Sequence, residues 1–107
     1  MDQSPKRSRV AEYAPRRIHG VPSDYASDFP AGAFSDTMVG VLYEDRVDPE
    51  YALAYGKNRN AFDIVILWRR GVDPSYALQF GDRRDLTVFD IADRWDESIP
   101  AEFATLV

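Results

Sequence analysis

The chain has 107 residues and a mass of 12.2 kDa, the size of one domain with one modest core. It contains no cysteine and one histidine, His19, which excludes disulfides, thiol nucleophiles and Cys-ligated metals and leaves Ser-His catalysis almost nothing to work with. The net charge of −5 is unevenly placed: residues 1–20 hold five basic and two acidic side chains, giving +3, and residues 21–107 hold eight and sixteen, giving −8.

Residues 1–20 read as a basic, flexible N-terminal arm. Lys6, Arg7 and Arg9, with Arg16 and Arg17, are candidates to contact phosphates. Five cations without interleaved aromatics support only weak, salt-sensitive binding; the plainer reading is a solubilising tail. No apolar stretch follows these residues, so the segment is no secretory signal. The longest nearly apolar run, 64–68, falls far short of the ~20 residues that span a membrane. A cytoplasmic protein that does not enter membranes is therefore expected.

From residue 21 the chain repeats itself. Val21-Pro22-Ser23-Asp24-Tyr25-Ala26 opens the first unit, and Ser35-Asp36-Thr37-Met38-Val39-Gly40 its second half. Val47-Asp48-Pro49-Glu50-Tyr51-Ala52 and Asn60-Ala61-Phe62-Asp63-Ile64-Val65 follow at the same places in the second unit. Val72-Asp73-Pro74-Ser75-Tyr76-Ala77 and Thr87-Val88-Phe89-Asp90-Ile91-Ala92 follow in the third. Ile99-Pro100-Ala101-Glu102-Phe103-Ala104 starts a fourth. The units run at about 21–46, 47–71 and 72–98, with a half unit at 99–107 that acts as a cap. A period near 25 residues marks a repeat architecture.

Each unit predicts two short helices. In the first, Asp48 or Asp73 is the N-cap, Pro49 or Pro74 takes the first helical position, and Gly56 or Gly81 suits the C-cap. In the second, Ser35, Asn60 and Thr87 are good N-caps, with Asp63 and Asp90 three residues on as capping-box partners. Tyr43, Trp68 and Trp95 recur near the ends of the second helices and read as core, as do Tyr51 and Tyr76 with their hydroxyls reaching solvent. One hairpin this short cannot bury its own apolar face, so the units must stack. The expected fold is all-α: a short tandem stack of helix-turn-helix repeats behind an N-terminal arm.

Gly71-Val72-Asp73-Pro74-Ser75-Tyr76-Ala77 and Asp63-Ile64-Val65-Ile66-Leu67 resemble short helical-hairpin repeats of the form Gly-Val-x-Pro-Glu-Tyr-Ala followed by Asp-Ile-Val-x-Leu. The resemblance covers about residues 21–107. It implies a helical repeat used for protein interaction, and it brings no catalytic residues.

A helical wheel at about 100° per residue puts Ile64, Trp68, Ala61 and Val65 on one side and Asp63, Ile66, Leu67 and Arg70 on the other. The residues equivalent to that second group are Met38, Val41, Leu42 and Asp45 in the first unit and Asp90, Asp93, Arg94 and Glu97 in the third. The outward stripe is thus charged in the last unit and apolar in the first two. Two readings stay open. Met38, Val41, Leu42, Ile66 and Leu67 form core under residues 1–20, or they form a contact surface on which Asp63 and Arg70 set the register. The leading function is a non-enzymatic protein-interaction module, an adaptor or regulator. The alternatives are a nucleic-acid or ribonucleoprotein accessory anchored by the arm, and a self-assembling homo-oligomer. Asp90, Asp93 and Glu97 share a helix face but lack the loop carbonyls and turn glycine of a calcium site. No metal or cofactor is expected.

Overall fold

A computed structural model describes residues 16–81 and 85–104. Among them it contains seven α-helices and no strand. They are α1 (Ser23–Ala26), α2 (Asp36–Glu44), α3 (Pro49–Tyr55), α4 (Ala61–Arg69), α5 (Pro74–Ala77, continued by a 3-10 turn over Leu78–Phe80), α6 (Val88–Asp96) and α7 (Ala101–Ala104). No helix among the described residues is long and apolar enough to cross a membrane.

The helix starts are set by local chemistry. Ser35, Asn60 and Thr87 each accept a hydrogen bond from the backbone N–H three residues on, at 3.2, 2.9 and 3.1 Å. Asp90 returns the bond by accepting from the Thr87 N–H at 2.9 Å, which closes a capping box at α6. Asp48 and Asp73 accept from the N–H groups of Glu50 and Ser75 at 2.9 Å. Pro49 and Pro74 follow them at the first helical position, where a missing N–H costs nothing.

The long helices form one layer and the short ones another. Within the long layer α4 lies between α2 and α6, and α3 packs on α4 and α5. Three kinds of contact recur along the chain. Tyr25 meets Tyr43, Tyr51 meets Trp68 and Tyr76 meets Trp95 edge-on, with centroids 5.0, 5.0 and 5.1 Å apart. The same three tyrosine hydroxyls donate to the carbonyls of Val47, Val72 and Ile99 at 2.6, 2.5 and 2.7 Å. The N–H groups of those three residues donate to the carbonyls of Leu42, Leu67 and Arg94 at 3.0, 3.0 and 3.1 Å. The expectation that Tyr51 and Tyr76 send their hydroxyls to solvent is therefore corrected. An amphipathic ring in a half-buried site satisfies its O–H on the nearest free carbonyl.

The core runs unbroken along the chain, from Phe29 and Phe34 through Tyr55 and Ile64 to Phe80 and Ile91, all at most 2% exposed. Leu42 and Leu67, expected on the outward stripe, are 0% exposed and belong to this core. The wheel opposed each long helix to a single neighbour. α4, flanked by two long helices and underlain by a short one, is instead covered on three sides, which buries Leu67; Leu42 is buried on α2, whose long neighbour among the described residues is α4. Arg16 is also withdrawn from the phosphate-contacting arm. Its guanidinium donates to the carbonyls of Phe29 and Phe34 at 2.9 and 2.6 Å and to Asp36 at 3.0 Å, and its backbone N–H donates to Ser27 Oγ. Such charge-assisted bonds fasten the segment before α1 to the start of α2.

Candidate interaction surface

The direction that α4 leaves open is occupied by Phe62 and Arg69, which lie at about 160° and 140° on the wheel that sets Ile64 at zero. Phe62 is 65% exposed, and Phe89 at the equivalent place on α6 is 54% exposed. Between α2 and α4 runs a shallow groove of about 270 Å³, lined by Val41, Glu44, Phe62, Val65, Ile66 and the Asp45–Arg69 pair.

Of the expected contact residues, Val41 and Ile66 line this groove. Met38, Val41 and Ile66 are half-buried and pack against the core. Asp63 is half-buried in the first turn of α4, where its backbone N–H donates to the Asn60 cap. Arg70 is taken up by α6: its guanidinium donates to Asp93 at 2.9 Å and to Asp96 at 2.6 Å. Arg17 is exposed, and Lys6, Arg7 and Arg9 lie outside the described residues.

Ion pairs tie the ends of the long helices together. Asp45, which ends α2, takes two hydrogen bonds from the Arg69 guanidinium on α4. These bonds hold the Asp45 carboxyl below its usual range and raise Arg69. Arg70, which ends α4, is raised in the same way by Asp96 and Asp93 on α6. The charge order reverses from one junction to the next: anion then cation, followed by cation then anion. Exposed pairs of this kind add little stability each. Their alternation does disfavour a slipped pairing, because α2 against α6 would oppose Asp45 to Asp96.

Among the described residues no group of three or more His, Asp or Glu is arranged to hold a metal. No protein-family model, curated protein or solved structure matches the chain.

Phe62 and Phe89 are the surface residues that the wheel left out. Phe62 fell between its two faces and was assigned to neither. A signal was present in the internal alignment, where Asn60-Ala61-Phe62-Asp63 stands against Thr87-Val88-Phe89-Asp90. A large apolar residue one place after each helix start is not required by either cap.

Proposed function

We propose that the chain is a short stack of about 25-residue helical-hairpin units that binds another protein, without catalysis, across the outer face of α2, α4 and α6. Phe62 and Phe89 are the anchors on this face. Val41 and Ile66 floor the groove beside Phe62, and Glu44 and Arg69 supply polar contacts at its edge. The observation that carries the reading is the exposure of two phenylalanines at equivalent positions on adjacent long helices, 65% and 54%. Aromatic residues, phenylalanine among them, are enriched at protein interfaces, and grouped exposed apolar side chains mark such surfaces. The repeat reading draws on the threefold recurrence of the ring contact, the hydroxyl bond and the backbone bond. The arm-anchored nucleic-acid alternative loses one of its five cations, since Arg16 is bonded within the fold.

The test is a paired capture from the native host's lysate at working salt, with wild type beside Phe62→Ser/Phe89→Ser. Surface changes of this kind alter stability by roughly 0.5 kcal/mol or less, so the variant is expected to melt like wild type and to lose the captured protein. Equal capture by both chains overturns the assignment. Ile66→Asp is a poorer probe, because Ile66 packs against the core and a buried charge also unfolds.

A further inference from the structure

Helix α7 takes the same place as α1, α3 and α5 but, among the described residues, lacks the ring partner that those helices have. Tyr25, Tyr51 and Tyr76 each rest edge-on against an aromatic of the following long helix. Phe103 holds the equivalent position and is 59% exposed. The helix that carries it is nonetheless seated. Ala101 and Ala104 are buried, Ile99 N–H donates to the Arg94 carbonyl, and the Tyr76 hydroxyl donates to the Ile99 carbonyl.

The neighbouring edge of α6 is also built on the pattern of α4. Arg94 stands where the fully buried Leu67 stands on α4, and its Nε is buried with no hydrogen-bond partner. A buried N–H without an acceptor is costly, so this position on α6 is less well satisfied than its leucine counterpart on α4. With Arg94 in place of leucine the edge is more polar than the internal junctions, which suits a reversible contact.

The ion pairs specify the occupant. At each junction the residue that ends one long helix pairs with the residue directly after the aromatic of the next. Asp45 pairs with Arg69 after Trp68, and Arg70 pairs with Asp96 after Trp95. Glu97 ends α6 and is exposed. Its complement is a cation placed directly after an aromatic. A second copy joined head to tail would offer Tyr43-Glu44 and set carboxylate against carboxylate, which selects against that partner.

We propose that the α6–α7 edge binds an amphipathic helix of another protein in which an aromatic residue is followed directly by Arg or Lys. The ring seats on Phe103 and the cation pairs with Glu97. The inference rests on the repeat reading given above and is independent of the Phe62 groove.

The probe is a capped peptide of residues 57–71, which carries Trp68-Arg69, titrated into the full chain and followed by amide chemical shifts. Shifts centred on Arg94, Glu97, Ser98 and Phe103 are expected. Changing Arg69→Glu in the peptide should weaken binding about 5-fold, the scale of turning one exposed ion pair into a repulsion. Glu97→Lys in the chain should reverse the preference between the two peptides, and Trp68→Ala in the peptide should weaken binding to both chains. Equal affinity for all peptides overturns the proposal. So do shifts centred on Asp45 and Tyr51, which mean that the peptide invades the seat of its own counterpart, and so does self-association of the chain that protects Phe103. The Phe62→Ser/Phe89→Ser chain keeps this titration unchanged, so failure of the groove and failure of the edge are read separately.

Discussion

Arg46, Gly71 and Ser98 each lie two residues past the last residue of a long helix, and all three adopt positive φ, at 53°, 72° and 61°. The left-handed conformation suits glycine and strains a residue with a Cβ. Arg46 has local compensation: its guanidinium lies 3.9 Å from the Tyr43 ring centroid and donates to the Tyr43 carbonyl. For Ser98→Gly a gain of about 1 kcal/mol is expected, visible as a higher melting temperature, and a smaller gain for Arg46→Gly. Tyr25 makes a pH prediction. Burial, helped by the Asp48 carboxylate, pushes its hydroxyl from 10.0 to about 12. Tyr51, Tyr55 and Tyr76 are raised as well, again chiefly by burial. Between these values the unfolded chain has released its proton while the folded chain keeps it, so stability falls as pH rises above 10. Urea midpoints measured from pH 8 to 11.5 should decline, and Tyr25→Phe should flatten part of that decline. A flat profile in wild type would contradict the burial of these hydroxyls.

The long helices begin where their caps place them. Thr87 and Asp90 exchange two hydrogen bonds, whereas Ser35 and Asn60 each make one. Thr87→Ala is expected to cost about 1 kcal/mol, measured by denaturant unfolding, and Asp90→Ala to lose part of the same amount. Arg16 works at this scale too, since its side chain bridges the turn after α1 and the first residue of α2. Arg16→Ala leaves two part-buried carbonyls without their charged donor and should destabilise by roughly 2 kcal/mol. Arg16→Lys should recover little of it, because a point charge cannot replace a planar fork.

At the scale of the whole molecule, the contrast between Leu67 and Phe62 tests the layered arrangement. Both are large apolar residues of α4, five positions apart, and only Leu67 is covered by neighbouring helices. Leu67→Ala should cost 2 to 5 kcal/mol, an order of magnitude taken from core leucines in general (~3 kcal/mol), and should unfold a marginal chain. Phe62→Ala should leave the midpoint almost unchanged. Similar costs for the two would mean that α4 does not lie between α2 and α6. Because each junction involves only neighbours, damage at α2 and damage at α6 should add nearly independently.

Helix starts, N-caps and the recurring residues could be read before any coordinates, because each depends on groups within a few positions of one another. Of the two expected capping boxes, however, only that of Thr87 and Asp90 forms, and Asn60 accepts a single bond. Ser35, Asn60 and Thr87 cap the backbone three residues on, and Pro49 and Pro74 are constrained by their own rings. The direction in which a helix faces is another matter. Leu42, Leu67 and Arg70 looked outward on a wheel drawn for one neighbour. Leu67 turned inward and Arg70 found partners once a second long helix lay alongside α4, and Leu42 is buried where α2 meets its one long neighbour among the described residues. Arg16 looked like part of a charged tail until residues 13 and 18 positions away offered carbonyls. Local hydrogen bonds and side-chain sterics act within one turn of helix and are written in the order of residues. Burial is a sum over every element that packs on a position, and only the assembled layers determine that sum.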